Sequence, residues 1–311
     1  MRGPREHGLP WLPILVASLV NALFAGLMAR HYVKPVRILR NSFEAVARGC
    51  LGTRVGSALG EGRDGLSRLG QDFDRMAAQL QSLFESRRRL LHDVSHELKS
   101  PLARLQAASE LLNRVPERQK QLLAHIERDT ARIDQLVSEL LTLARLDDGL
   151  SVSLTDVVGL SELLHALMEA NSMEAELKGC QLVLHDLLQP GQVAARVQGN
   201  HEMLYRAFGN VLRNAIRYSP AQGQIVLVAA LRDQRLCVSV EDSGPGVNAG
   251  DLEHIFEPFF RAASERKPDG HGLGLAVTRS VCEAHGGRAY AQNRPEGGLA
   301  VHIELPVMDG A

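Results

Sequence analysis

Residues 92–102 read HDVSHELKSPL, with a proline five positions after a histidine in a pattern that is otherwise helical. Apolar residues recur there every three or four positions, which predicts an amphipathic helix. Proline removes one helical hydrogen bond and crowds the carbonyl four residues earlier, so Pro101 acts at Glu97, beside His96. We therefore expect a bend at Pro101, next to this titratable pair, in a helix held by a surrounding bundle. The apolar positions are Leu90, Leu91, Val94, Leu98, Leu102 and Leu105.

The same periodicity continues to residue 146 and predicts a helical hairpin. Residues 84–146 contain two long amphipathic stretches, and Asn113–Pro116 mark the turn between them. A lone hairpin leaves one apolar side uncovered, whereas two copies form a four-helix bundle that buries it. We therefore predict a homodimer.

An apolar segment lies near the N-terminus. Trp11–Ala29 carries no charge over nineteen positions, close to the ~20 apolar residues that cross a bilayer. A signal peptide is the alternative, but its apolar core spans only about 7–15 residues. Because several Arg and Lys residues follow the segment, the positive-inside rule puts the bulk of the chain in the cytoplasm. We expect a single membrane-spanning helix.

Charge and cysteine content argue against a general nucleic-acid-binding protein and against a fold held by metal sites or disulfides. The chain has 35 Lys+Arg against 36 Asp+Glu, and this balance argues against general nucleic-acid binding. The cysteines are scattered without a Cys-x-x-Cys pair, which indicates small buried thiols in a reducing compartment rather than a metal site or disulfides. They are Cys50, Cys180, Cys237 and Cys282.

Two short helical stretches joined by a glycine-rich link follow the apolar segment. The first covers about 35–47 and the second begins near Leu66. Both are too short to be stable alone, so we expect them to pack in a bundle. Pro35 and the run DFDRM at 72–76 resemble the HAMP linker that follows the last membrane helix of many bacterial receptors. The Asp-Glu-apolar-Gly signature of that linker is only partly kept, at 64–67.

The C-terminal half, about 155–308, has mixed character and follows a polar break at 147–149. Helical patterns at 160–178, 200–218 and 272–285 alternate with short β-prone runs. This order predicts an α/β sandwich, in which one sheet built of antiparallel hairpins carries helices on a single face. The β-prone runs cover 181–185, 224–231, 235–241, 287–293 and 299–305.

Three polar residues share one face of the predicted helix 200–218. Asn210, Asn214 and Arg217 are spaced four and three residues apart. Amide oxygens are hard ligands that suit Mg²⁺, and a guanidinium binds phosphate oxygens. By itself the pattern also fits an exposed polar helix face.

A second polar stretch, Asp242–Gly246, directly follows a β-prone run. An aspartate at a strand end can accept a hydrogen bond from an exocyclic amine. Gly244 and Gly246 would let a flat ring approach the backbone. The stretch fits a simple turn equally well.

An aromatic cluster precedes a polar loop further along. Phe256–Arg261 contains three phenylalanines, and the stretch 262–270 that follows has almost no apolar residue beyond alanine. This order suggests a hinged lid. Core packing explains the aromatic residues alone.

Glycines open the last predicted helix. Gly270, Gly272 and Gly274 would expose backbone N–H groups to an anion, helped by the helix dipole. The sequence contains no Gly-x-x-x-x-Gly-Lys-Ser/Thr, which excludes a P-loop.

In this order, the four stretches resemble the N, G1, F and G2 boxes of the ATP-binding domain shared by sensor histidine kinases, gyrase, Hsp90 and MutL. The stretch SHELKSPL at 95–102 resembles the H box of two-component sensor histidine kinases. The resemblance implies an α + α/β fold: a single transmembrane helix, a dimeric four-helix bundle with one hairpin per chain, and a C-terminal α/β sandwich of the GHKL (Bergerat) ATP-binding type. The implied domains are an N-terminal tail (1–10), a transmembrane helix (11–32), a HAMP-like linker (33–85), a dimerisation and histidine-phosphotransfer hairpin (86–148) and an ATP-binding catalytic domain (155–308).

The resemblance also implies the roles of individual residues. His96 would be the phosphoacceptor and Glu97 its acid/base partner. Asn214 would hold Mg²⁺, and Asp242 would bind the adenine amine. The other implied ATP-binding residues are Asn210 beside the metal, Tyr218 beside the base, Arg217 and Arg261 at the phosphates, and Gly244, Gly246, Gly270, Gly272 and Gly274.

The implied function is that of a protein-histidine kinase in the bacterial inner membrane, with one membrane pass and cytoplasmic catalytic domains. It would use Mg-ATP to phosphorylate His96 and then pass the phosphoryl group to an aspartate of a separate response regulator. The implied partners are a second copy of the chain, that regulator and the lipid bilayer, without nucleic acid. Since such kinases commonly carry an earlier membrane helix and a periplasmic domain, we expect this N-terminus to be truncated.

Two other classes stay open at this point. One is an ATPase of the gyrase or MutL kind, in which nucleotide closes a dimer without phosphorylating protein. The other is a membrane-tethered scaffold with an inactive site, against which the intact Asn214, Asp242 and glycine set argue.

Three neighbouring questions concern single residues. His92 is the rival phosphoacceptor, four residues before His96, but it lacks the following glutamate and the proline spacing. Ser100 replaces the Thr or Asn of members that also dephosphorylate their partner, and its hydroxyl could still orient a water. His271 and the other histidines are expected to be surface or lid residues.

Overall fold

The computed structural model describes residues 11–59, 65–112, 118–147, 153–188, 196–261 and 270–308. The chain divides into two compact units, 1–92 and 93–311, and each has its own apolar core. The predicted tail 1–10, the turn at 113–116 and all but the last residue of the stretch 262–270 lie outside the described residues.

The first unit begins with an apolar helix. Helix α1 spans Leu12–Met28, a π-helical turn covers Ala29–Val33, and helix α2 spans Lys34–Ala47. Pro35 lies at the start of α2, and a π-helical turn is one of the usual ways in which a helix accommodates such a proline. In the described part of the chain, Pro13–Ala47 is the one helix long and apolar enough to cross a bilayer, with a mean hydropathy of 1.6. The predicted apolar helix is therefore present.

A small core holds the linker helices together. Helix α3 spans Gly56–Leu59 and helix α4 spans Gly65–Leu112. Phe73 of α4 is 2% exposed and belongs to one core with Leu39 and Val55. Helices α2 and α4 therefore pack against one another within a single chain.

Asp74 of α4 caps the start of α3. Its Oδ1 accepts from the Val55 N–H at 2.7 Å, and its Oδ2 accepts from the Gly56 N–H at 2.8 Å. Asp74→Ala leaves two part-buried donors unpaired, a loss of about 1–3 kcal/mol. We therefore expect D74A to speed amide hydrogen exchange in α3 about tenfold. The control is D72A, which removes an exposed carboxylate 3.6 Å from Arg75; equal exchange in the two variants would contradict the capping role.

The second unit contains the helical hairpin. Its first helix is the C-terminal part of α4, and its second is α5, Gln119–Asp147. The expectation that a linker helix ends before a new helix begins near residue 84 is wrong, because α4 is continuous. No glycine or proline occurs between Gly70 and Pro101, so nothing in that stretch ends a helix. Pro101 is buried inside α4 and does not end it either; a bend there stays a prediction.

The rest of the second unit, residues 153–308, is an α/β domain. Its strands are β1 (Asp156–Gly159), β2 (Gln181–Asp186), β3 (Arg196–Gly199), β4 (Gln224–Arg232), β5 (Arg235–Glu241), β6 (Arg288–Asn293) and β7 (Leu299–Pro306). Its helices are α6 (Leu160–Lys178), α7 (His201–Tyr218) and α8 (Gly274–Ala284). The main sheet has five strands in the order β2-β4-β5-β7-β6.

The five β-prone runs are confirmed as the strands of this sheet, and the three helical patterns are confirmed as α6, α7 and α8. The pairing of β2 was predicted wrongly: β2 runs parallel to β4, with α7 between them in the chain, whereas the other neighbours are antiparallel. Strands β1 and β3 were not predicted. They form a separate antiparallel pair, and four residues each are too few for a clear alternation of apolar and polar positions.

Helix α7 carries the apolar side that fixes the orientation of its polar side. Leu204, Phe208, Leu212 and Ile216 are spaced by four residues and are at most 2% exposed. Burying each of them contributes about 1.5–3 kcal/mol. This apolar side fixes the rotation of α7 about its axis, and with it the direction in which the polar residues project.

The cysteines are unbonded, as expected. Cys180 and Cys282 are buried, and burial raises the pKa of the Cys282 thiol to about 12. Cys237 is half-buried and Cys50 is exposed, so the expectation of burial is wrong for Cys50.

Candidate active site

The predicted phosphoacceptor pair borders the α/β domain. His96 lies on the surface of α4, and the neighbouring Glu97 is half-buried. Both oxygens of Glu97 contact the α/β domain: Arg261 Nη2 donates to Oε1 at 2.9 Å, and His271 Nδ1 lies 3.2 Å from Oε2. The carboxylate next to the candidate nucleophile is therefore held by residues of the F and G2 stretches.

Ser100 lies one turn further along α4. Its Oγ accepts from Arg104 Nη1 at 2.7 Å, and Arg104 also pairs with Asp129 of α5 at 2.7 Å. The Arg104 guanidinium holds the pKa of the Asp129 carboxyl below its usual range. Ser100 is thus hydrogen-bonded to an arginine that joins the two helices of the hairpin.

Helix α5 packs directly on the α/β domain. Leu136 and Leu143 are 0% and 7% exposed and belong to the core of that domain. Arg206 of α7 donates to the Ser138 hydroxyl. Burial raises the pKa of Glu139, which lies on the same part of α5. The hairpin and the α/β domain are therefore docked through both apolar and polar contacts.

The two asparagines of the N stretch have different environments. Asn210 is 5% exposed; its Nδ2 donates to the carbonyl of Gly274 at 3.1 Å, and its Oδ1 accepts from Arg213 Nη2 at 2.6 Å. Asn214, one turn later, is half-buried and makes no hydrogen bond with the described residues. Asn210 thus ties α7 to the start of α8, while the amide of Asn214 is available to a ligand.

The C-terminal end of α7 brings two further predicted residues to the glycine stretch. Arg217 lies so close to Gly270 that a Cβ on this glycine would collide with Arg217 Nη1. Tyr218 is 40% exposed. Lys178 of α6 donates to the carbonyls of Ile216 and Arg217, which stabilises this helix end.

Asp242 follows β5 and is 5% exposed. Its Oδ1 accepts from the N–H groups of Gly244 at 2.8 Å and Leu299 at 3.1 Å. Burial raises the pKa of Asp242, and the two backbone donors and Arg294 partly oppose this rise. The arrangement orients the carboxyl group and leaves Oδ2 without a hydrogen bond to the described residues, which suits an incoming amine.

The glycine stretch approaches the F stretch closely. Gly272 has φ +70°, and a Cβ there would lie 2.8 Å from the carbonyl of Phe260. Its own carbonyl accepts from the Phe259 N–H at 2.9 Å. Gly246 also has a positive φ, +71°. Position 272 therefore requires a glycine, because the backbone has a positive φ there and the Phe260 carbonyl leaves no space for a Cβ.

The residues fit a magnesium ion that is shared with phosphates. Among the described residues, no group of three or more His, Cys, Asp and Glu side chains could hold a metal. The amide oxygen of Asn214 is a single hard ligand, and Mg²⁺ usually keeps several waters and binds substrate phosphates, so it needs few ligands from the protein.

Sequence reasoning missed three residues of this site. His271 was expected at the surface or on a lid; the surface expectation is wrong, because His271 is 5% exposed and contacts both hairpin helices. Arg294 donates to the carbonyl of Asp242 at 2.8 Å. Thr278 is fully buried and donates toward the carbonyls of Ala207 and Gly274, which joins α8 to α7.

Two family models match the chain, largely within its second unit. Residues 86–149 match the His Kinase A (phospho-acceptor) domain, and residues 199–309 match the histidine kinase-, DNA gyrase B-, and HSP90-like ATPase. The two matches cover the predicted H-box hairpin and the predicted ATP-binding boxes.

Full-length relatives extend the likeness to nearly the whole chain. Sensor histidine kinase CpxA of Escherichia coli (strain K12) is 33% identical over 300 residues, which are 96% of this chain and 64% of CpxA. Sensor protein CutS of Streptomyces coelicolor is 34% identical over 307 residues, 95% of this chain and 70% of CutS. The chain thus spans somewhat less than two thirds of CpxA. A solved structure, full-length ShkA in complex with AMPPNP, has a TM-score of 0.52 and 27% identity over 72% of this chain and 46% of ShkA.

Proposed function

This chain belongs to the family of two-component sensor histidine kinases, and we propose that it transfers the γ-phosphoryl group of ATP to His96 and then to an aspartate of a separate response regulator. The observation that carries the proposal is the contact between Glu97 and the α/β domain. Because Glu97 directly follows His96, this contact brings a histidine, its neighbouring carboxylate and the glycine stretch together in one compact unit.

In the proposed complex, the α/β domain binds ATP through its four boxes. Asp242 accepts a hydrogen bond from the adenine amine, and Tyr218 lies beside the base. Arg217 and Arg261 contact phosphate oxygens, and the N-terminus of α8 at Gly274 contributes backbone N–H groups. The proposed ATP-binding set is completed by Asn210, Gly244, Gly246, Gly270 and Gly272.

Phosphoryl transfer then depends on positioning more than on covalent help from the protein. One ring nitrogen of His96 uses its lone pair to form the N–P bond, the bond from the γ-phosphorus to the bridging oxygen breaks, and ADP leaves. The proton on the other ring nitrogen passes to Glu97, because the ring becomes positively charged as the new bond forms. Mg²⁺ held through Asn214 would neutralise charge on the phosphates.

The proposal extends to the organisation and location of the chain. The apolar helix at 11–32 would span a bacterial inner membrane, residues 33–85 would form the HAMP-like linker, and 86–148 would dimerise with a second copy. Residues 155–308 would be the catalytic domain in the cytoplasm. The arginines and lysines after the apolar helix support this orientation, and the exposed apolar residue Leu102 of α4 supports dimerisation.

The proposal is tested by whether the protein becomes labelled and by the stability of that label in acid and in base. The full chain, reconstituted in bilayer discs, is incubated with Mg²⁺ and ATP labelled in the γ-phosphate. A histidine kinase leaves label on the protein that is lost in acid and kept in base, and added EDTA prevents it. An ATPase of the gyrase or MutL kind instead releases labelled phosphate and leaves the protein unlabelled, which would refute the proposal.

A further inference from the structure

Glu97 is held by two residues of the α/β domain that lie ten positions apart. Arg261 Nη2 donates to Glu97 Oε1 at 2.9 Å and to the carbonyl of Gly270 at 2.6 Å. His271 Nδ1 lies 3.2 Å from Glu97 Oε2, and its Nε2 lies 3.2 Å from the carbonyl of Arg132 on α5. Glu97, Arg261 and His271 are called here the carboxylate clamp. His271 thus contacts both helices of the hairpin from within the glycine stretch.

The imidazole of His271 can donate to only one of its two neighbours. Both neighbours are acceptors, whereas a neutral imidazole has a single N–H. Burial lowers the pKa of His271, and the charge of Arg132 lowers it further, whereas Glu97 and the carbonyl of Arg132 raise it. Since a hydrogen bond to a carboxylate is stronger than one to a neutral carbonyl, the N–H is assigned to Nδ1, facing Glu97. Each oxygen of Glu97 therefore accepts from the α/β domain.

The clamp conflicts with the catalytic roles of the same residues. Both oxygens of Glu97 already accept hydrogen bonds from the α/β domain, so the proton of His96 must compete with these donors for the carboxylate. Both N–H groups of Arg261 Nη2 already have acceptors, Glu97 and the Gly270 carbonyl, so a phosphate that binds this nitrogen must displace one of them. His271 lies between Gly270 and Gly272, in the glycine stretch that is proposed to bind the phosphates.

We propose that the carboxylate clamp is a resting state of this kinase, in which His271 positions Glu97 away from its role as base, and that nucleotide binding to the glycine stretch opens it. The inference deepens the proposed function and rests on it. ATP would take over Arg261 and displace the segment 270–272, and Glu97 would be released toward His96 at the moment when the γ-phosphate is present. His271 is a positioning residue in this scheme and touches no reacting atom.

The test measures nucleotide affinity, which does not require phosphoryl transfer. If ATP must open the clamp, part of its binding energy is spent on opening, and the apparent affinity is reduced. His271→Leu removes the hydrogen bond and keeps the space filled. We expect H271L to bind Mg-AMPPNP about tenfold more tightly than the wild type in calorimetric titrations of the full chain in bilayer discs. Weaker or unchanged binding would overturn the clamp.

Glu97→Gln tests the same contact from the other side. Because Glu97 is half-buried on a helix, E97Q is expected to fold. The variant therefore tests the contact even if H271L does not fold. We expect E97Q to tighten Mg-AMPPNP binding as well, and the double variant E97Q/H271L to gain no more than the larger single effect. Strict additivity of the two effects would show that His271 and Glu97 act separately and would refute the proposal.

Two controls separate the clamp from a general effect of removing a buried histidine. His302 is half-buried on β7, and burial lowers its pKa too, so H302L is expected to leave the affinity for Mg-AMPPNP unchanged. His271→Gln keeps an N–H donor that can reach Glu97 and is expected to restore an affinity near that of the wild type. An equal gain in H271L and H302L, or in H271L and H271Q, would count against the clamp.

The pH dependence gives a readout that a purely structural role would not change. The charged groups facing His271 are Glu97 from α4 and Arg132 from α5, and Arg261 of its own domain shares the Glu97 carboxylate with it. The pKa of clamped His271 lies below the ordinary value of 6.5. Release lets the pKa return toward that value. As the pH falls below 6.5, the open state therefore takes up a proton more readily than the clamped state. Acid therefore favours opening. The affinity advantage of H271L should shrink as the pH falls below 6.5, and a constant ratio would contradict the proposal.

If the wild type fails to label itself with γ-phosphate yet H271L still tightens AMPPNP binding, the kinase proposal fails while the clamp stands. If the wild type labels itself and H271L does not tighten binding, the clamp fails while the kinase proposal stands. The two experiments therefore separate the two proposals.

Discussion

Replacing His96 by glutamine is expected to reduce incorporation of γ-phosphate into the chain to background. Glutamine is close to histidine in size and polarity but has no ring nitrogen whose lone pair can attack phosphorus. His96 lies on the surface of α4, so the substitution should change the free energy of unfolding by no more than about 0.5 kcal/mol. ATP binding should also persist, since none of the proposed ATP-binding residues is altered. The measurement is the amount of protein-bound label after incubation with Mg-ATP.

His92→Gln is the matched control for this prediction. His92 is an exposed histidine one helical turn earlier on α4, and H92Q should label at nearly the wild-type rate. Label that persists in H96Q and disappears in H92Q would reverse the assignment of the phosphoacceptor. Loss of label in both variants with AMPPNP binding intact would indicate that the helix surface, and not one imidazole, is required.

The elements that were predicted correctly are those whose signals are local. Helix α7 was readable because its apolar residues recur every four positions, and this spacing depends only on the helix itself. Strands β4, β5 and β7 were readable because each is a run of seven or more residues rich in β-prone side chains. The box residues were readable because glycines and asparagines occur at short, fixed spacings within single loops or helices.

The features that were missed depend on contacts between distant parts of the chain. His271 and Glu97 are 174 positions apart, and nothing near His271 indicates that the hairpin will cover it. The same holds for Arg294, which donates to a carbonyl 52 positions earlier, and for the parallel pairing of β2 with β4. The continuity of α4 is different: the absence of glycine and proline before Pro101 was visible in the sequence, and the expected boundary near residue 84 was an avoidable error.

Asp242 tests nucleotide binding separately from the phosphoacceptor. Asp242→Asn keeps an oxygen for the backbone donors Gly244 and Leu299 but replaces one carboxylate oxygen by an amide NH₂, which repels an adenine amine. Loss of one hydrogen bond to a charged acceptor corresponds to about a ten- to hundredfold weaker affinity for Mg-AMPPNP. At low ATP concentration, the rate at which His96 is labelled should fall in proportion to the loss of affinity.

The unfolding temperature of D242N shows whether its weaker affinity for AMPPNP comes from a lost contact or from a damaged fold. Burial raises the pKa of Asp242 above its ordinary value of 3.8, so at neutral pH the fold carries a charge whose burial is unfavourable. A neutral asparagine removes that cost, and D242N is expected to unfold at the same temperature as the wild type or higher. The raised pKa also predicts that wild-type affinity begins to fall at a pH above the ordinary carboxyl value of 3.8, as Asp242 takes up a proton and its carboxylate is lost as an acceptor.

The control for D242N is its neighbour in the chain. Glu241 is half-buried and lies 3.6 Å from Arg294, and its side chain lines the open face of the sheet rather than the predicted adenine site. E241Q removes one negative charge next to Asp242 and should leave AMPPNP affinity within about twofold of the wild type, since a partly exposed ion pair contributes only about 0–1 kcal/mol. Equal losses in D242N and E241Q would mean that charge in this region, and not a hydrogen bond to adenine, supports binding. A loss in D242N alone, with its unfolding temperature preserved, would assign the adenine contact to the Asp242 carboxylate.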